Sequence, residues 1–396
     1  MRYFLNGTDT NREIAYRFLI YGAMGFLLFA CQPIRDFQTI SGDYIKTDIK
    51  PKYPLPSKGL KTVILVADNK STEIFDLLAP YFLFKCADKA NIFIVSKDPA
   101  PISLFRGLGV MPHHTFDSYI DLDITPDLII VPNMSSIDKD SIDVDIVSFI
   151  NSQYDPDSTW VLSICSVAAI AAQTGIFDGH EITSHSSDIE QLSQQWNRPK
   201  WIYDMKVTQS GNLFSTAGVS NATEGSLFVI SKLFSPEIAE GLAQRIGYPK
   251  KFLDFKKEHQ PLNISDKLNI MIKVAFHNDK KLGFLLNDNV SEFNLAVLMD
   301  VYSRTFPESI HTFSIGDKTV ISQNGLTLLP SSKDIDFDEV HMVTDSNENP
   351  DLDTIGHLKV HRWDGHYIFD SSLHKIEREF GPNFKNTVSK LLDYEN

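Results

Sequence analysis

The chain has 396 residues, of which 42% are hydrophobic and 22% charged, a composition typical of folded globular proteins with two or three domains. Its formal net charge of −14 argues against a nucleic-acid partner, because phosphate neutralisation requires clustered Lys and Arg, and the sequence has no such cluster. Three cysteines are too few for a disulfide framework, and no Cys/His pair has zinc-ligand spacing, so we expect neither a metal nor another cofactor.

The N-terminus differs from the rest of the chain. Residues 18–34 carry no charge, and a run of this length is at the short limit for a membrane-spanning helix and slightly long for a signal-peptide core. Residues 28–31 resemble a bacterial lipobox, and no polar face supports a buried amphipathic helix. We therefore expect residues 1–34 to attach the protein to a bacterial membrane, by lipid or by helix, with the following domains on the extracytoplasmic side. Residues 35–60 are polar and Pro-rich, which is typical of an extended linker.

Residues 61–255 alternate apolar runs with helical stretches. Strands are expected at 62–67, 91–95, 126–132 and 160–164, and helices at 73–87, 222–233 and 236–246. Continuous apolar strands separated by helices indicate a parallel sheet covered on both faces. A tight turn at Gly211 predicts one hairpin near the end of the domain. The expected fold class is therefore a doubly wound, flavodoxin-like α/β domain.

Cys165 ends the fourth apolar run and begins a helix-like stretch, residues 166–172. A strand that stops at a nucleophile and turns at once into a helix exposes a reactive side chain at the top of a parallel sheet. The helix N-terminus behind the sulfur would favour the thiolate. A cysteine at a strand end is otherwise usually a small buried hydrophobe, so both interpretations stay open at this point.

Residues 262–396 contain an internal repeat of the first domain. When the sequence is shifted along itself without a gap, Phe75 meets Phe293 and Pro112 meets Pro330, and apolar strands coincide as well. A constant offset through helix, strand and loop favours duplication over coincidence.

This second copy is predicted to be incomplete. After a third strand at 339–343, residues 359–363 and 367–369 resemble the hairpin at Gly211. The stretch equivalent to Cys165 and its helix is missing, so we expect a truncated copy without a nucleophile elbow, acting as a structural or regulatory partner.

Four sequence segments resemble the DJ-1/ThiJ/PfpI family, which belongs to the class I glutamine amidotransferase-like superfamily. Residues 161–168 and 174–185 resemble its signature of a strand, a Cys, a helix, "aGLLdGr" and "aTtHw". Residues 76–80 are similar to "lDlaGP", and residues 215–219 to "TSAGv". The resemblance covers roughly residues 61–250 and is closest to the subgroup of isocyanide hydratases and AraC-type sensor domains.

The resemblance implies roles for four side chains. Cys165 matches the reactive cysteine, and Asp76 matches the acid that approaches the sulfur and passes a proton. Ser166 stands where Thr or His follows the cysteine, and would hydrogen-bond a substrate. His185 matches a histidine near the pocket rim, where it would be suited to proton transfer.

Asn133 and Gly218 are the two further positions implied to bind substrate. Asn133 lies where the family has a Pro-Gly-Gly loop that helps to form an oxyanion hole, and Val167 replaces the small residue of the elbow. Losing one oxyanion donor typically lowers a hydrolase rate by about 10²–10³-fold, so weakened or lost catalysis is an alternative. Protease activity is disfavoured, because Ser166 stands where protease-like members have His.

The resemblance therefore implies a cysteine-dependent hydrolase or hydratase that acts on a small C–N or carbonyl-like molecule. The alternative is a non-catalytic ligand-binding or redox-sensing module of the same fold. A homodimer is a further expectation.

Overall fold

The computed structural model describes residues 44–45, 49–105, 107–134, 138–249, 253–277, 280–333, 336–344, 357–363 and 365–395. The expected membrane segment, residues 1–34, lies outside these ranges. Within them, every helix is too short or too polar to cross a lipid bilayer.

Seventeen strands and eleven α-helices are found in the described ranges. The strands are β1 Lys61–Ala67, β2 Ala90–Ser96, β3 Ile102–Leu104, β4 Leu108–Val110, β5 His114–Thr115, β6 Leu128–Val131, β7 Trp160–Ile164, β8 Glu181–Ile182, β9 Lys200–Trp201, β10 Val207–Ser210, β11 Leu213–Thr216, β12 Lys281–Leu286, β13 Ser309–Ser314, β14 Val320–Ile321, β15 Thr327–Pro330, β16 Glu339–Thr344 and β17 Leu358–Arg362. The helices are α1 Ile74–Ala87, α2 Phe116–Ile120, α3 Val144–Gln153, α4 Ala168–Thr174, α5 Ile189–Gln195, α6 Ala222–Leu233, α7 Pro236–Arg245, α8 Ile264–His277, α9 Glu292–Ser303, α10 Ile368–Phe380 and α11 Pro382–Leu392.

The first sheet has the order β10-β11-β7-β6-β1-β2-β5, and only the β10–β11 hairpin is antiparallel. Alternate residues of β1 enter two different cores: Val63 and Leu65 pack on one face, and Ile64 and Val66 on the other. Both faces are therefore covered by helices, which explains why these strands read as continuous apolar runs. The expected doubly wound, flavodoxin-like α/β fold is confirmed.

The second sheet repeats part of this order. Its strands run β13-β12-β16-β17, all parallel, in the same arrangement as β2-β1-β6-β7. The second, shorter copy expected from the sequence is thus present, and it ends where the first sheet continues into β11 and β10.

The hairpin expected at 359–363 and 367–369 is wrong. Strand β17 lies parallel to β16, and the turn at Gly365 leads into helix α10 instead of a returning strand. The buried residues of α10 include Phe369, Leu373 and Ile376, a helical spacing that overrides the hairpin-like turn.

The two copies contact each other through equivalent elements. Helices α1 and α9 pack together, and the rings of Phe75 and Phe293 are 5.3 Å apart. Strands β4 and β15 pair antiparallel, with Val110 opposite Leu328. Both pairs join residues related by the constant offset of the repeat, so these two residues of the first copy each meet their own counterpart, as at an isologous interface.

The described part of the expected linker lies against the first domain. The Pro54 carbonyl oxygen is 2.9 Å from Nε2 of His114, and the Ser57 N–H donates to Oδ1 of Asn91 over 2.8 Å. Pro54 and Ser57 therefore contact the first sheet at β5 and β2, while Leu55 between them is 81% exposed.

Candidate active site

Cys165 sits at the strand-to-helix corner that the sequence indicates. Strand β7 ends at Ile164, and Cys165 has φ 64°, a left-handed conformation that is uncommon for a residue with a side chain. A 3₁₀ turn then leads into α4. Val167 has φ −63°, which any residue adopts, so its replacement of a small residue does not prevent the elbow.

Asp76 lies in the first turn of α1 and is fully buried. Its Oδ2 accepts a hydrogen bond from the Asn133 N–H over 3.2 Å, while its Oδ1 has no hydrogen-bond partner among the described residues. Glu73 caps the same helix, with Oε2 accepting from the Asp76 N–H over 2.7 Å. Burial, and then the negative Glu73, raise the pKa of Asp76 well above its ordinary value. Both effects favour the protonated form of Asp76.

The Cys165 sulfur is in a closed, acidic environment. The residue is only 3% exposed, and its Sγ is 3.8 Å from Oγ of Ser166. Burial raises the pKa of the thiol well above its ordinary value, and the nearby acids Asp76 and Asp188 raise it further when they are ionised. The thiolate expected from the helix N-terminus is thus wrong for this structure, because desolvation and two nearby acids outweigh the helix dipole.

Three of the other expected residues are held by neighbours. The Ser166 hydroxyl donates to Oδ2 of Asp188, an acid that the sequence did not single out. The Asn133 N–H, expected in an oxyanion hole, serves Asp76 instead. The nitrogens of His185 lie 2.7 Å from Oγ of Ser187 and 3.3 Å from the carbonyl oxygen of Leu391, so the ring is held by the C-terminal helix.

Residues 391–395, called the C-terminal strap below, cover the rim of this site. Asp393 is buried and forms an ion pair with Lys257 over 2.5 Å, and it accepts a hydrogen bond from the Ser186 hydroxyl over 2.7 Å. A Cβ added to Gly218 would lie 2.1 Å from Cβ of Asp393. The absence of a side chain at Gly218 therefore leaves room for the strap. Lys257, Tyr394 and Glu395 also line an open cavity of about 830 Å³, and Cys165 is not among its described lining residues.

The second copy also supplies a cation. Arg304 follows α9, is 4% exposed, and donates from Nε to the Leu391 carbonyl oxygen over 3.1 Å. Burial lowers its pKa to about 10, against the opposing effect of Glu73, Cys165 and Asp76. Arg304 is thus close enough to all three groups for their ionised forms to stabilise its positive charge. Sequence reasoning missed it, because it belongs to the copy without an elbow.

A model of the DJ-1/PfpI family matches residues 61–231. Residues 61–231 belong to the DJ-1/PfpI family. The isonitrile hydratase of Pseudomonas putida is 25% identical over 173 residues, which cover 44% of this chain and 72% of the hydratase.

Two solved structures are also similar to this chain. A ThiJ/PfpI family protein from Pseudomonas syringae is 21% identical, with a TM-score of 0.42, and the match covers 52% of this chain and 83% of that one. Drosophila melanogaster DJ-1beta is 16% identical, with a TM-score of 0.41, covering 47% and 97%.

The DJ-1/PfpI domain contains all six residues that the sequence singled out, Asp76 and Cys165 among them. Arg304 and the C-terminal strap lie outside the matched range. The candidate site therefore combines residues of the matched range with Arg304 and the C-terminal strap of the second copy.

Proposed function

We propose that this protein is a cysteine-dependent hydratase of a small neutral C–N substrate such as an isonitrile. The observation that carries the proposal is the pair formed by Cys165 on its elbow and Asp76, whose buried Oδ1 has no partner among the described residues. A buried polar atom without a partner is costly, and a substrate would supply that partner. The similarity to the isonitrile hydratase supports the substrate class.

The protonation state of Asp76 suits proton donation. Oδ2 accepts from the Asn133 N–H, so the proposed mechanism assigns the acidic proton to Oδ1, which has no partner among the described residues. As the Cys165 sulfur bonds to the terminal carbon of an isonitrile, that carbon takes the Asp76 proton, and the thiol proton returns to the carboxylate. The product of this step is a thioimidate on Cys165.

Water completes the reaction. It adds to the same carbon, one of its protons passes to nitrogen, and the carbon–sulfur bond breaks. The sulfur regains a proton, and an N-substituted formamide leaves. One water molecule is consumed and nothing is oxidised, so the cycle requires no cofactor.

The burial of Cys165 argues against the redox-sensing alternative. A redox sensor needs an exposed thiol with a lowered pKa, whereas Cys165 is buried with a raised pKa. Closure by the strap, and the use of the Asn133 N–H by Asp76, favour a non-catalytic ligand-binding domain as the second candidate.

A hydration assay separates these two candidates. We expect full-length protein to convert a small alkyl isonitrile to its formamide, followed by NMR, and Cys165→Ser to abolish turnover. Cys86→Ser is the matched control, since Cys86 is a half-buried thiol in α1, and it should retain activity. Saturable binding of the isonitrile without turnover would establish the ligand-binding alternative, and the absence of both would overturn the proposal.

We further propose that residues 1–34 tether the protein to the extracytoplasmic side of a bacterial membrane. The uncharged run 18–34 and the lipobox-like residues 28–31 support this attachment. Membrane fractionation should release a variant that lacks residues 1–34, and full-length protein that is soluble without detergent would contradict the proposal.

A homodimer of whole chains is also proposed. Strand β17 leaves one edge of the second sheet without a partner strand among the described residues. Such an edge can pair with that of another copy. Sedimentation equilibrium of the whole chain measures the association directly.

A further inference from the structure

A hydrogen-bonded pair of side chains lies beside the Cys165 sulfur. Sγ of Cys165 is 3.8 Å from Oγ of Ser166. The Ser166 hydroxyl in turn donates to Oδ2 of Asp188, the residue that precedes α5. Cys165 and Ser166 are both 3% exposed, whereas Asp188 is half-buried. The pair therefore connects the buried sulfur to a carboxylate that is partly open to solvent.

The segment between β8 and α5 brings this carboxylate to the elbow. The His185 carbonyl oxygen accepts a hydrogen bond from the Asp188 N–H over 3.0 Å, in the turn that leads into α5. Earlier in the same segment, the Ser184 hydroxyl donates to the Cys165 carbonyl oxygen over 3.2 Å. The segment is thus attached to the elbow twice, once at the backbone of Cys165 and once through Ser166.

The direction of each hydrogen bond follows from the groups involved. A hydroxyl has one hydrogen, and Ser166 donates it to the Asp188 carboxylate, so only a lone pair of Oγ can face the sulfur. The Cys165 thiol is therefore the donor in its contact with Ser166. A path for a proton runs from the thiol through Ser166 to Asp188.

Asp188 also acts on the sulfur electrostatically. Burial, then Asp76 and then Asp188, raise the pKa of the Cys165 thiol. The two acids differ in their contacts. Oδ1 of Asp76 has no partner among the described residues, whereas Oδ2 of Asp188 accepts from Ser166 and its Oδ1 lies 3.0 Å from Oγ of Ser187. Asp76 is thus arranged to give a proton to a substrate, and Asp188 to receive one through a hydroxyl.

The second half of the proposed hydration needs a proton carrier at the sulfur. One proton of the added water passes to nitrogen, and the other, on the hydroxyl of the tetrahedral adduct, must reach the sulfur. While the sulfur is bonded to carbon it carries no hydrogen, so the lone pair of Ser166 can accept from that hydroxyl. The adduct oxygen is two bonds from Sγ, and the 3.8 Å between Sγ and Oγ leaves it within reach of Ser166.

We propose that Ser166 is a catalytic residue and Asp188 its positioning residue, and that they return the proton to the sulfur; this inference rests on the proposed hydratase function. The adduct hydroxyl gives its proton to Ser166 Oγ while the Ser166 hydrogen passes to Asp188. A lone pair of the adduct oxygen forms the carbonyl double bond, and the electron pair of the carbon–sulfur bond leaves with the sulfur. The proton on Asp188 then returns through Ser166 to the sulfur, which restores the thiol and the carboxylate.

Asp188→Asn in the full-length chain tests this path, because an amide keeps an oxygen for the Ser166 hydroxyl but cannot take its proton. We expect the thioimidate to form on Cys165 and to accumulate, since only its breakdown is slowed. Intact-protein mass spectrometry after mixing with a small alkyl isonitrile measures this as a mass increase of one isonitrile. The value of kcat should fall by about 10²-fold, the lower end of the range for general acid–base catalysis.

Two further variants accompany this test. Ser166→Ala should accumulate the same adduct, and the double variant should be no slower than either single variant, because both residues act in one path. Ser166→Ala also decides the claim if Asp188→Asn fails to fold. Glu190→Gln is the matched control, since it removes an exposed carboxylate from the first turn of α5. It should hydrate the isonitrile at the natural rate without accumulated adduct.

The outcomes separate this inference from the proposed function. If the natural chain hydrates the isonitrile and both Asp188→Asn and Ser166→Ala do so equally fast, the inference is wrong and the proposed function stands. Slower turnover without accumulated thioimidate, or equal slowing in Glu190→Gln, also overturns the inference alone. A natural chain that forms neither adduct nor formamide overturns both.

Discussion

The two copies share a strand order but carry different side chains at the same places. The shift that aligns α1 with α9 places Asn294 at the position of Asp76. The shift that aligns β7 with β17 places Arg362 at the position of Cys165. The second copy therefore has neither the nucleophile nor the acid, and its different residues determine what it does.

The interiors differ as well. The first copy fills the space beneath its helices with Leu and Ile, whereas the second places the buried pair His341 and His361 there, with Nδ1 of His341 2.8 Å from Nε2 of His361.

The copies are nevertheless not independent. Arg304 and the C-terminal strap come from the second copy and close the Cys165 site of the first. The candidate site is therefore a property of both copies, and exchanging equivalent residues between them tests which differences matter.

Asp76→Asn gives the first copy the amide of the second and should have the largest effect. A general acid typically contributes about 10²–10⁴-fold in rate, so we expect kcat for isonitrile hydration to fall by that factor with an unchanged fold. The reciprocal substitution, Asn294→Asp, lies in the copy without the elbow and should leave kcat unchanged. Equal rates for Asp76→Asn and the natural chain would remove Asp76 from the mechanism.

Asp393→Asn should loosen the C-terminal strap. It leaves the Lys257 charge buried without its partner, a change that typically destabilises by about 3–5 kcal/mol. We expect a lower urea midpoint and faster alkylation of Cys165 by iodoacetamide, with Cys86 as internal reference. Glu395→Gln is the control in the same strap, because its ion pair with Lys206 is partly exposed and should contribute about 1 kcal/mol or less. Unchanged labelling of Cys165 would mean that the strap is not its lid.

Local signals made much of this structure predictable. The sequence predicted strands β1, β2, β6 and β7 and the turn at Gly211. These elements are predictable because a buried strand and a tight turn each depend on the types of a few consecutive residues. The elbow at Cys165 follows from the same evidence. The constant offset predicted the second copy before its strand order was known.

Long-range contacts were not predictable from the chain. Arg304 is distant from Cys165 in sequence, and nothing near either residue indicates that they approach. The raised pKa of Cys165 depends on burial and on the distant acid Asp76, neither of which the helix N-terminus reveals. The strap reaches the site only when both copies are packed together. The sequence around Gly218 could therefore predict a binding position there, but not that Asp393 fills it.

The buried pair His341 and His361 should make the second copy more sensitive to acid than the first copy's apolar core. The folded pKa values of His341 and His361 are lowered from 6.5, so the unfolded chain binds more protons below that pH. Stability therefore falls as pH drops from about 6.5, by up to about 1.4 kcal/mol per pH unit for each histidine. His341→Ile with His361→Ile should reduce this slope, measured as urea midpoints between pH 7 and pH 5. An unchanged slope would assign the acid sensitivity to other groups.

The smallest effect is expected where the copies cap equivalent helices differently. Glu73 caps α1, and its counterpart Ser291 caps α9, accepting from the Asn294 N–H over 3.3 Å. Glu73→Ser retains a capping oxygen, so the free energy of unfolding should change by about 1 kcal/mol or less.

Removing the Glu73 charge also removes a cause of the raised pKa of Asp76. Hydration requires protonated Asp76 and is lost as pH rises through its pKa, so in Glu73→Ser the loss should begin at lower pH. Glu73→Gln, which removes the charge and keeps the length, should shift the profile of kcat against pH in the same direction. A profile unchanged in both variants would show that burial alone raises the pKa of Asp76. Glu73 would then act only as the cap that stabilises α1, as Ser291 does for α9.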